Sequence, residues 1–285
     1  MISRRALKPV DQITTAAESI SITNLSDRLE VPRSSDELQR LSETLNRMLA
    51  RLDASVQRMS QLTADASHEL RAPVSLIRTT AELAVQGDRT NTEYREDMVQ
   101  ILAEAERTSR LIDSLLLLAR ADAGEGGLQH ELADVSTSVR EAMEQGRSLA
   151  AEKRIELTAN LSSDTVVVRG DGESLRRLFF ILIDNAIKYT PEGGRVQVDL
   201  EAVDARAMIR VTDSGIGILE SDQQHIFDRF WRADKVRSRG VGGAGLGLSI
   251  ARWIVDQHQG SLDVRSRPSQ GSTFTVKIPL AQLAA

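Results

Sequence analysis

Two neighbouring residues, His68 and Glu69, have the types needed for nucleophilic chemistry. A neutral imidazole is a nucleophile, and an adjacent carboxylate can orient the ring or take its proton. His68 lies two positions before Leu70, which is about 200° around a helix with 3.6 residues per turn. It is therefore predicted to point away from the apolar side of its helix. The alternative is an ordinary solvated histidine, which would be the better interpretation of an isolated residue.

The helix that carries His68 is predicted from apolar residues that recur every three or four positions. A similar repeat lies upstream, where Asp36 is predicted to be an N-cap. We expect the upstream helix to run on into the His68 segment, and Pro73 to bend it. The two repeats consist of Leu38, Leu41, Leu45, Met48 and Leu52, and of Leu62, Ala66, Leu70, Val74, Ile77, Ala81 and Ala84.

Two further segments predict that the chain pairs with a second copy. A short amphipathic helix is predicted over residues 4–22, with a non-helical connector over 23–35. This helix and the one that follows Asp36 cannot bury both of their apolar stripes within one chain. After a turn at 87–92, a second helical arm has an apolar stripe too broad for one partner helix. A homodimer would complete both regions as four-helix arrangements. The stripe contains Tyr94, Met98, Ile101, Ala105, Thr108, Leu111, Ile112, Leu115, Leu116, Leu118 and Ala119.

The second half of the chain has a different texture. Residues 121–127 are predicted to form a flexible hinge, and alternating strands and helices follow. The pattern is typical of an α/β sandwich in which helices cover one face of a single sheet. The predicted strands are 154–159, 165–169, 195–202, 206–213, 261–266 and 272–279, and the predicted helices are 135–152, 172–189 and 244–259.

Composition excludes several classes of protein. The 285 residues are 41% hydrophobic and 27% charged, as expected for folded domains rather than a disordered chain. There is no cysteine, so disulfides and thiolate metal sites are excluded. The net charge of −5 argues against nucleic-acid binding. The sequence contains no apolar run of about 18 residues that would span a membrane.

Two motifs predict groups that could contact a nucleotide. Asn185, near the end of the predicted helix 172–189, offers an oxygen of the kind that Mg²⁺ prefers, and Lys188 could meet a phosphate. An ordinary helix terminus would explain this segment if it stood alone. Asp213 follows a strand and could accept a hydrogen bond from an adenine amine. Gly215 and Gly217 would let the backbone approach the ligand.

Two more motifs follow in the same order. Residues 226–232 combine aromatic anchors with a cation, Arg232. Residues 240–248 are rich in glycine and lead into a helix, where backbone N–H groups form a cradle for anions. The motif contains Gly243, Gly245, Leu246 and Gly247. It is not a P-loop, because no Gly-Lys-Ser/Thr follows the glycines, and its position does not fit a Rossmann fingerprint.

Taken together, the residues closely resemble the sensor histidine kinases of two-component signalling. Residues 67–73 are similar to the phosphoacceptor box, and the wording of 64–70 is most similar to heavy-metal-sensor kinases. The four later motifs resemble the N box (184–190), G1 box (213–218), F box (226–232) and G2 box (240–248) of a Bergerat-type ATP domain. The resemblance implies a parallel HAMP four-helix coiled coil over 1–57, an antiparallel helical-hairpin dimer forming a four-helix bundle over 58–122, and an α/β sandwich ATP-binding domain over 123–285.

The resemblance also implies roles for individual residues. His68 would accept the phosphoryl group of ATP, with Glu69 as base or orienting group, and would pass it to an aspartate on a response regulator receiver domain. Asn185 would bind Mg²⁺ and Asp213 the adenine. Lys188, Tyr189 and Arg232 would bind the nucleotide and its phosphates. This part of the protein would be cytoplasmic, attached to the inner membrane through a preceding transmembrane segment. Arg4 and Arg5 suit the cytoplasmic flank of such a segment, and an ordinary basic N-terminus explains them equally well.

Two departures from the family pattern matter for function. Ala72 stands where the family usually has Thr or Asn, a residue thought to orient the water that removes phosphate from the partner. Ile181 stands where the N box usually begins with Asn, and where gyrase-type ATPases carry a catalytic Glu. Weak phosphatase activity is therefore expected, and a gyrase-like ATPase is disfavoured. A dimeric signalling scaffold without kinase activity is the other alternative, and it would predict broken ATP motifs.

Overall fold

The computed structural model describes residues 14–15, 18–21, 24–31, 37–87, 90–122, 131–161, 165–232 and 244–281. The chain divides into two compact units, Met1–Ala105 and Glu106–Ala285, and each is considered by itself. The predicted N-cap at Asp36, most of the predicted helix 4–22 and Gly243 lie outside the described residues. So do His130 and residues 123–127 of the predicted hinge.

The first unit is organised around one continuous helix, α1, which spans Glu37–Gln86 and has 50 residues. The prediction that the upstream helix runs on into the His68 segment is therefore confirmed. Pro73 lies inside α1 and is buried. Proline cannot donate a hydrogen bond to the preceding turn, so this position is a local weak point of the helix.

The connector before α1 packs against one side of the helix. Leu25, Leu29 and Leu49 are buried together, and the side-chain amide of Asn46 bonds both the N–H and the carbonyl of Leu29, each at 2.9 Å. A single connector covers only part of the helix surface. Part of the predicted apolar repeat of this helix is therefore left uncovered, and three of its residues remain 47–56% exposed within one chain: Leu41, Met48 and Leu52.

Helix α2 spans Asn91–Asp122, and both ends differ from the prediction. Its first turn is capped by Thr90, whose N–H donates to Glu93 Oε2 at 2.7 Å while Glu93 N–H donates to Thr90 Oγ1 at 3.3 Å. This reciprocal capping starts the helix inside the predicted turn at 87–92, so residues 91–92 are helical. At the other end α2 includes residues 121–122, which were predicted to be hinge.

The described strands of the second unit are β1 Glu131–Asp134, β2 Glu156–Leu161, β3 Val167–Gly170, β4 Arg195–Val203, β5 Arg206–Asp213, β6 Ser261–Arg267 and β7 Gly271–Pro279. Five of them form a sheet with the order β2-β4-β5-β7-β6. The pair β2–β4 is parallel and the other three pairs are antiparallel. A separate strand β1, which the sequence did not predict, pairs antiparallel with β3.

Three longer helices cover the sheet: α3 Val135–Glu152, α4 Gly172–Tyr189 and α6 Gly247–Gln257. A short helix, α5, spans Glu220–Gln223. The predicted bounds of α3 and α4 are confirmed. Both helices begin directly after an aspartate cap: the Asp134 and Asp171 side chains accept hydrogen bonds from the N–H groups of Ser136 and Ser174. Helix α6 is shorter than the predicted 244–259. Alternate residues of β5 and one stripe of α4 form the core, including Ala207, Ile209, Val211, Leu175, Leu178, Phe179, Leu182 and Ile183.

His258, like His130 and His225, belongs to none of the sequence motifs, and histidines without such a context are predicted to be surface or loop residues. For His258 that prediction is wrong. Its side chain is only 3% exposed. Nδ1 donates to the Ile254 carbonyl at 2.7 Å, and Nε2 accepts from the Asp171 N–H at 3.1 Å, so both ring nitrogens are satisfied. The imidazole thus fixes the junction between β3 and α4. By contrast, His225 is exposed as predicted and pairs with Asp228.

No helix in the described part of the chain is both long enough and apolar enough to cross a bilayer.

The junction at His258 can be tested by adding one methyl group. A Cβ at Gly170 would lie 2.2 Å from His258 Cδ2, so Gly170→Ala must displace the ring and break its bond to Asp171. We expect a loss of about 2–4 kcal/mol in the free energy of unfolding, measured by urea denaturation. Gly172→Ala is the matched control, because nothing lies within 4 Å of its added Cβ. Equal stability of the two variants would contradict this role for His258.

Candidate functional site

His68 and Glu69 lie in the first unit, within α1. His68 is exposed, whereas Glu69 and Leu70 are half-buried, so the predicted outward orientation of the imidazole is found. The preceding turn is regular helix in which Ser67 Oγ donates to the Thr63 carbonyl at 2.8 Å. The helix therefore presents His68 to solvent. The described site residues predicted to bind the nucleotide all lie in the second unit.

The C-terminal end of α4 carries Asn185, Lys188 and Tyr189 of the N box. The last carbonyls of a helix lack intrahelical partners and need another donor. Lys153 supplies it, because its Nζ donates to the carbonyls of Ile187, Lys188 and Thr190 at 3.1, 2.7 and 3.4 Å. Sequence reasoning missed Lys153, since nothing in the local pattern connects the end of α3 with the end of α4.

Charged groups converge at this end of α4. Burial lowers the pKa of Lys188, and the positive charges of Arg232 and Arg107 lower it further, while Asp184 opposes them. Burial raises the pKa of Tyr189, and the Arg232 charge lowers it. Lys188 and Tyr189 therefore both lie within the electrostatic influence of Arg232. An anionic ligand would stabilise these crowded cations.

Asp184 is a second residue that sequence reasoning left unassigned. Burial raises the pKa of its carboxyl group, and the nearby charges of Lys188, Arg110 and Lys153 lower it. Arg110 comes from the second half of helix α2, which belongs to the same compact unit as α4. Its neighbour in the N box, Asn185, was recognisable by motif, whereas these long-range charge contacts had no local signal.

Asp213 lies at the end of β5 and is 6% exposed. Its Oδ1 accepts the N–H groups of Gly215 at 2.8 Å and Ser272 at 3.2 Å. Burial raises the pKa of this carboxyl group, although both hydrogen bonds act in the opposite direction. Because the two bonds end on Oδ1, Oδ2 is the oxygen suited to accept a hydrogen bond from an amine such as that of adenine.

The two glycines of the G1 box meet protein backbone at close range. A Cβ on Gly215 would lie 2.6 Å from the Tyr189 carbonyl oxygen. Gly217 has a φ of +70°, and its Cβ would lie 2.0 Å from the Arg267 carbonyl oxygen. The sequence predicted that these glycines allow close approach of a ligand, whereas the close neighbours found are the end of helix α4 at Gly215 and the end of strand β6 at Gly217. The N–H of Ile216 also donates to the Tyr189 carbonyl at 3.2 Å, which ties the G1 box to the N box.

The described end of the G2 box leads into α6. Gly247 is the first residue of α6, and a Cβ there would lie 3.3 Å from Ile181 Cγ2 and 3.8 Å from Asn185 Nδ2. The N-terminus of α6 therefore adjoins the N box, and its N–H groups favour an anion. Leu246 is 3% exposed, so its side chain belongs to the core. Gly245 has a φ of +71° and packs on the F-box backbone.

The described residues contain no group of three or more His, Cys, Asp or Glu side chains arranged to hold a metal. Asn185 offers a single amide oxygen, and the Nδ2 of the same amide lies beside the N-terminus of α6. This donor set fits Mg²⁺ that takes its other ligands from phosphates and waters, which is how Mg²⁺ commonly binds with nucleotides.

A buried aspartate, an asparagine beside a helix N-terminus and a cluster of cations on one mixed sheet together define a nucleotide-binding ATPase domain. In agreement, residues 170–282 match the family described as histidine kinase-, DNA gyrase B- and HSP90-like ATPase. Residues 58–124 match the His Kinase A phospho-acceptor domain, and residues 1–54 match the HAMP domain.

The combination of these three domains is found in named relatives. The chain is 39% identical over 227 residues to the sensor histidine kinase RppB of Synechocystis, covering 79% of this chain and 50% of RppB. It is 30% identical over 277 residues to the histidine-protein kinase ArlS of Staphylococcus aureus, covering 97% of this chain and 61% of ArlS. The chain thus spans about half to three-fifths of these relatives. It belongs to the sensor histidine kinases.

Solved structures agree with the fold. ShkA, solved in complex with AMPPNP, is 27% identical with a TM-score of 0.60, over 79% of this chain and 47% of ShkA. ThkA, solved in complex with the response regulator TrrA, is 22% identical with a TM-score of 0.63, over 80% of this chain and 64% of that structure. The second likeness shows the fold alone.

The burial of Asp213 predicts a conflict between stability and binding. The pKa of the Asp213 carboxyl group is raised in the folded state, so its charged form lowers the free energy of unfolding. This loss of stability is absent below the unfolded pKa of about 4, where the group is protonated in both states. It develops as the pH rises from there through the folded pKa. Asp213→Asn removes that loss of stability. We expect the free energy of unfolding of the variant, relative to the native protein, to be higher at pH 7 than at pH 4.

The same variant should bind ATP poorly, because an amide nitrogen in place of Oδ2 cannot accept a hydrogen bond from the adenine amine. Urea denaturation at the two pH values and calorimetric titration with Mg·ATP would measure both effects. Asp199→Asn, on strand β4, is the control. Unchanged ATP binding by Asp213→Asn would contradict the assignment of the adenine site.

Proposed function

We propose that this chain is the catalytic part of a sensor histidine kinase that transfers the γ-phosphoryl group of ATP to His68. The phosphoryl group then passes to an aspartate of a response regulator. The observation that supports this function best is the meeting of the N box and G2 box at Gly247 and Asn185, in a chain that also exposes a histidine within a phospho-acceptor domain. An exposed histidine alone would not support it.

The reaction is an in-line displacement. A lone pair of the His68 imidazole forms a nitrogen–phosphorus bond while the bond from the γ-phosphorus to the bridging oxygen breaks, and ADP leaves with the electron pair. Glu69 orients the ring or receives its proton. Lys188 and Arg232 neutralise charge on the phosphates, and positioning supplies most of the catalysis. Mg²⁺ held partly by Asn185 would neutralise further charge on the phosphate oxygens.

A homodimer is proposed from the exposed apolar residues of the first unit. Val74, Leu83 and Val85 of α1 are 51–85% exposed, as are Met98 and Leu102 of α2 at 51% and 59%. Val74 and Val85 lie about three turns apart on one face of α1, and Met98 and Leu102 lie one turn apart on one face of α2. Exposed apolar residues that share a helix face favour a partner helix. The predicted parallel HAMP coiled coil and four-helix bundle would cover them.

The partner of the phosphorylated histidine is proposed to be a response regulator receiver domain, as in the complex reported for ThkA. The relatives are longer than this chain, so we also propose that the full protein continues into a membrane-anchored sensory part, with the domains described here in the cytoplasm.

The first experiment incubates the protein with Mg²⁺ and ATP labelled at the γ-phosphorus. We expect acid-labile, base-stable label on the native protein and none on His68→Gln, because glutamine has no nucleophilic ring nitrogen. His225→Gln is the matched control, since His225 is an exposed histidine paired with Asp228, and it should keep the label. Native protein that binds ATP without becoming labelled would support the scaffold alternative instead.

Ala72 predicts weak phosphatase activity toward the regulator. It lies one turn after His68 on the exposed side of α1, and its methyl group cannot orient a water molecule. Ala72→Thr introduces the missing hydroxyl, so we expect release of phosphate from the phosphorylated regulator to rise on the order of tenfold or more.

Release would be followed over time with ADP present. Ala64→Thr places the same hydroxyl one turn before His68 and should leave the rate unchanged. Rapid phosphate release by the native protein would show that Ala72 does not limit the reaction.

A further inference from the structure

An ion pair joins the end of helix α2 to the F box. Arg229 Nη1 donates to Asp122 Oδ2 at 2.6 Å, and Nη2 donates to Oδ1 at 2.8 Å. The two side chains are 28% and 30% exposed. Such a bidentate arginine–carboxylate ion pair is among the strongest and most directional hydrogen-bonded contacts in proteins. Asp122 is the last residue of α2, so the pair anchors the helix end itself.

The F box is in turn fastened to the G2 box. The N–H of Phe230, the residue after Arg229, donates to the Gly245 carbonyl at 3.0 Å. A Cβ on Gly245 would lie 2.8 Å from the Phe230 carbonyl carbon, so the two backbones touch without space for a side chain. Two residues later, Gly247 begins α6 beside Asn185. A short series of direct contacts therefore leads from Asp122 to the predicted phosphate cradle.

The neighbouring part of α2 also belongs to this unit. Leu118 is 1% exposed and Leu111 is 9% exposed. Ser114, on the same stretch, accepts a hydrogen bond from Arg177 Nη2 of α4 at 3.3 Å. The ion pair is thus the polar end of a packed contact between the second half of α2 and the nucleotide-binding domain.

We propose that Asp122 and Arg229 are positioning residues that couple the end of helix α2 to the affinity of the nucleotide site. With the pair closed, Arg229 holds the F box, and Phe230 holds Gly245 and the start of α6. With the pair open, the cradle loses this support and binds phosphate less well. Coupling is reciprocal, so a bound nucleotide also strengthens the pair. The proposal rests on the nucleotide site proposed above.

The test measures the dissociation constant of a non-hydrolysable ATP analogue with Mg²⁺ by titration calorimetry, using the full chain. Asp122→Asn and Arg229→Gln should each weaken binding about five- to tenfold, at the low end of typical coupling between sites. The double variant should be no worse than either single one, because both remove the same contact. The exchanged pair, Asp122→Arg with Arg229→Asp, should recover most of the affinity.

A second ion pair provides the matched control. Glu201 Oε1 and Arg210 Nη1 pair at 2.5 Å between β4 and β5, with side chains 42% and 36% exposed. Glu201→Gln removes a comparable contact far from Asp213, because Asp213 pairs with Val196 at the start of β4 and Glu201 lies toward the other end of that strand. This variant should leave the affinity unchanged. Raising the salt concentration should weaken binding more in the native protein than in Asp122→Asn, because only the native protein has the pair to screen.

The outcomes separate this inference from the proposed function. If native protein does not bind the analogue, the proposed function fails. If native protein binds it and Asp122→Asn binds within twofold, or if the exchanged pair recovers nothing, the coupling is refuted while the nucleotide site stands. Thermal melting of each variant, compared with Glu201→Gln, identifies any loss of affinity that comes from unfolding.

Discussion

The C-terminal end of helix α4 is the point on which the rest of the nucleotide-binding unit depends. Its carbonyls would be unsatisfied without outside donors, and they receive them from Lys153 Nζ and from the N–H of Ile216. The second bond draws the G1 box so close to Tyr189 that Gly215 has no room for a Cβ. One capping problem therefore fixes the N box and the G1 box relative to each other.

The same region carries an electrostatic cost that folding alone does not require. Burial disfavours the charged forms of Asp184, Lys188 and Asp213, as the directions of their pKa shifts show. Asp184 and Lys188 partly compensate each other, whereas among the described residues the hydrogen bonds to the Asp213 carboxyl group come from two backbone N–H groups and end on one oxygen. Buried charges without a full set of partners lower stability, so their retention is best explained by binding.

Much of the fold follows from local patterns. The bounds of α3 and α4 were predictable because each helix begins at an aspartate cap and continues with apolar residues at helical spacing. The motif residues were also predictable, because Asn185, Asp213 and Gly247 keep recognisable neighbours. The nearness of Asn185 to Gly247 could only be inferred from the family resemblance, and the structure places them side by side.

Three features that the sequence did not predict depend on long-range contacts. Strand β1 has four residues and exists through pairing with β3, so its own pattern is too short to indicate it. His258 is buried because its ring reaches the start of α4, far away in sequence. Asp122 was placed in a flexible hinge by the glycines that follow it, yet its partner Arg229 holds it at the end of a helix. The sequence around each of these residues does not indicate which distant residue it contacts.

The two departures from the family pattern have a common physical consequence. Ala72 and Ile181 are apolar where relatives are expected to carry side chains that position water or metal. In the structure, Ile181 lies beside the N-terminus of α6, next to Asn185, so an apolar wall stands where a gyrase-type enzyme would activate water. The side chain of Ile181 cannot hydrogen-bond to a water molecule and so cannot direct one at a phosphoryl group. Under the proposed function, this favours transfer to the imidazole of His68 over hydrolysis.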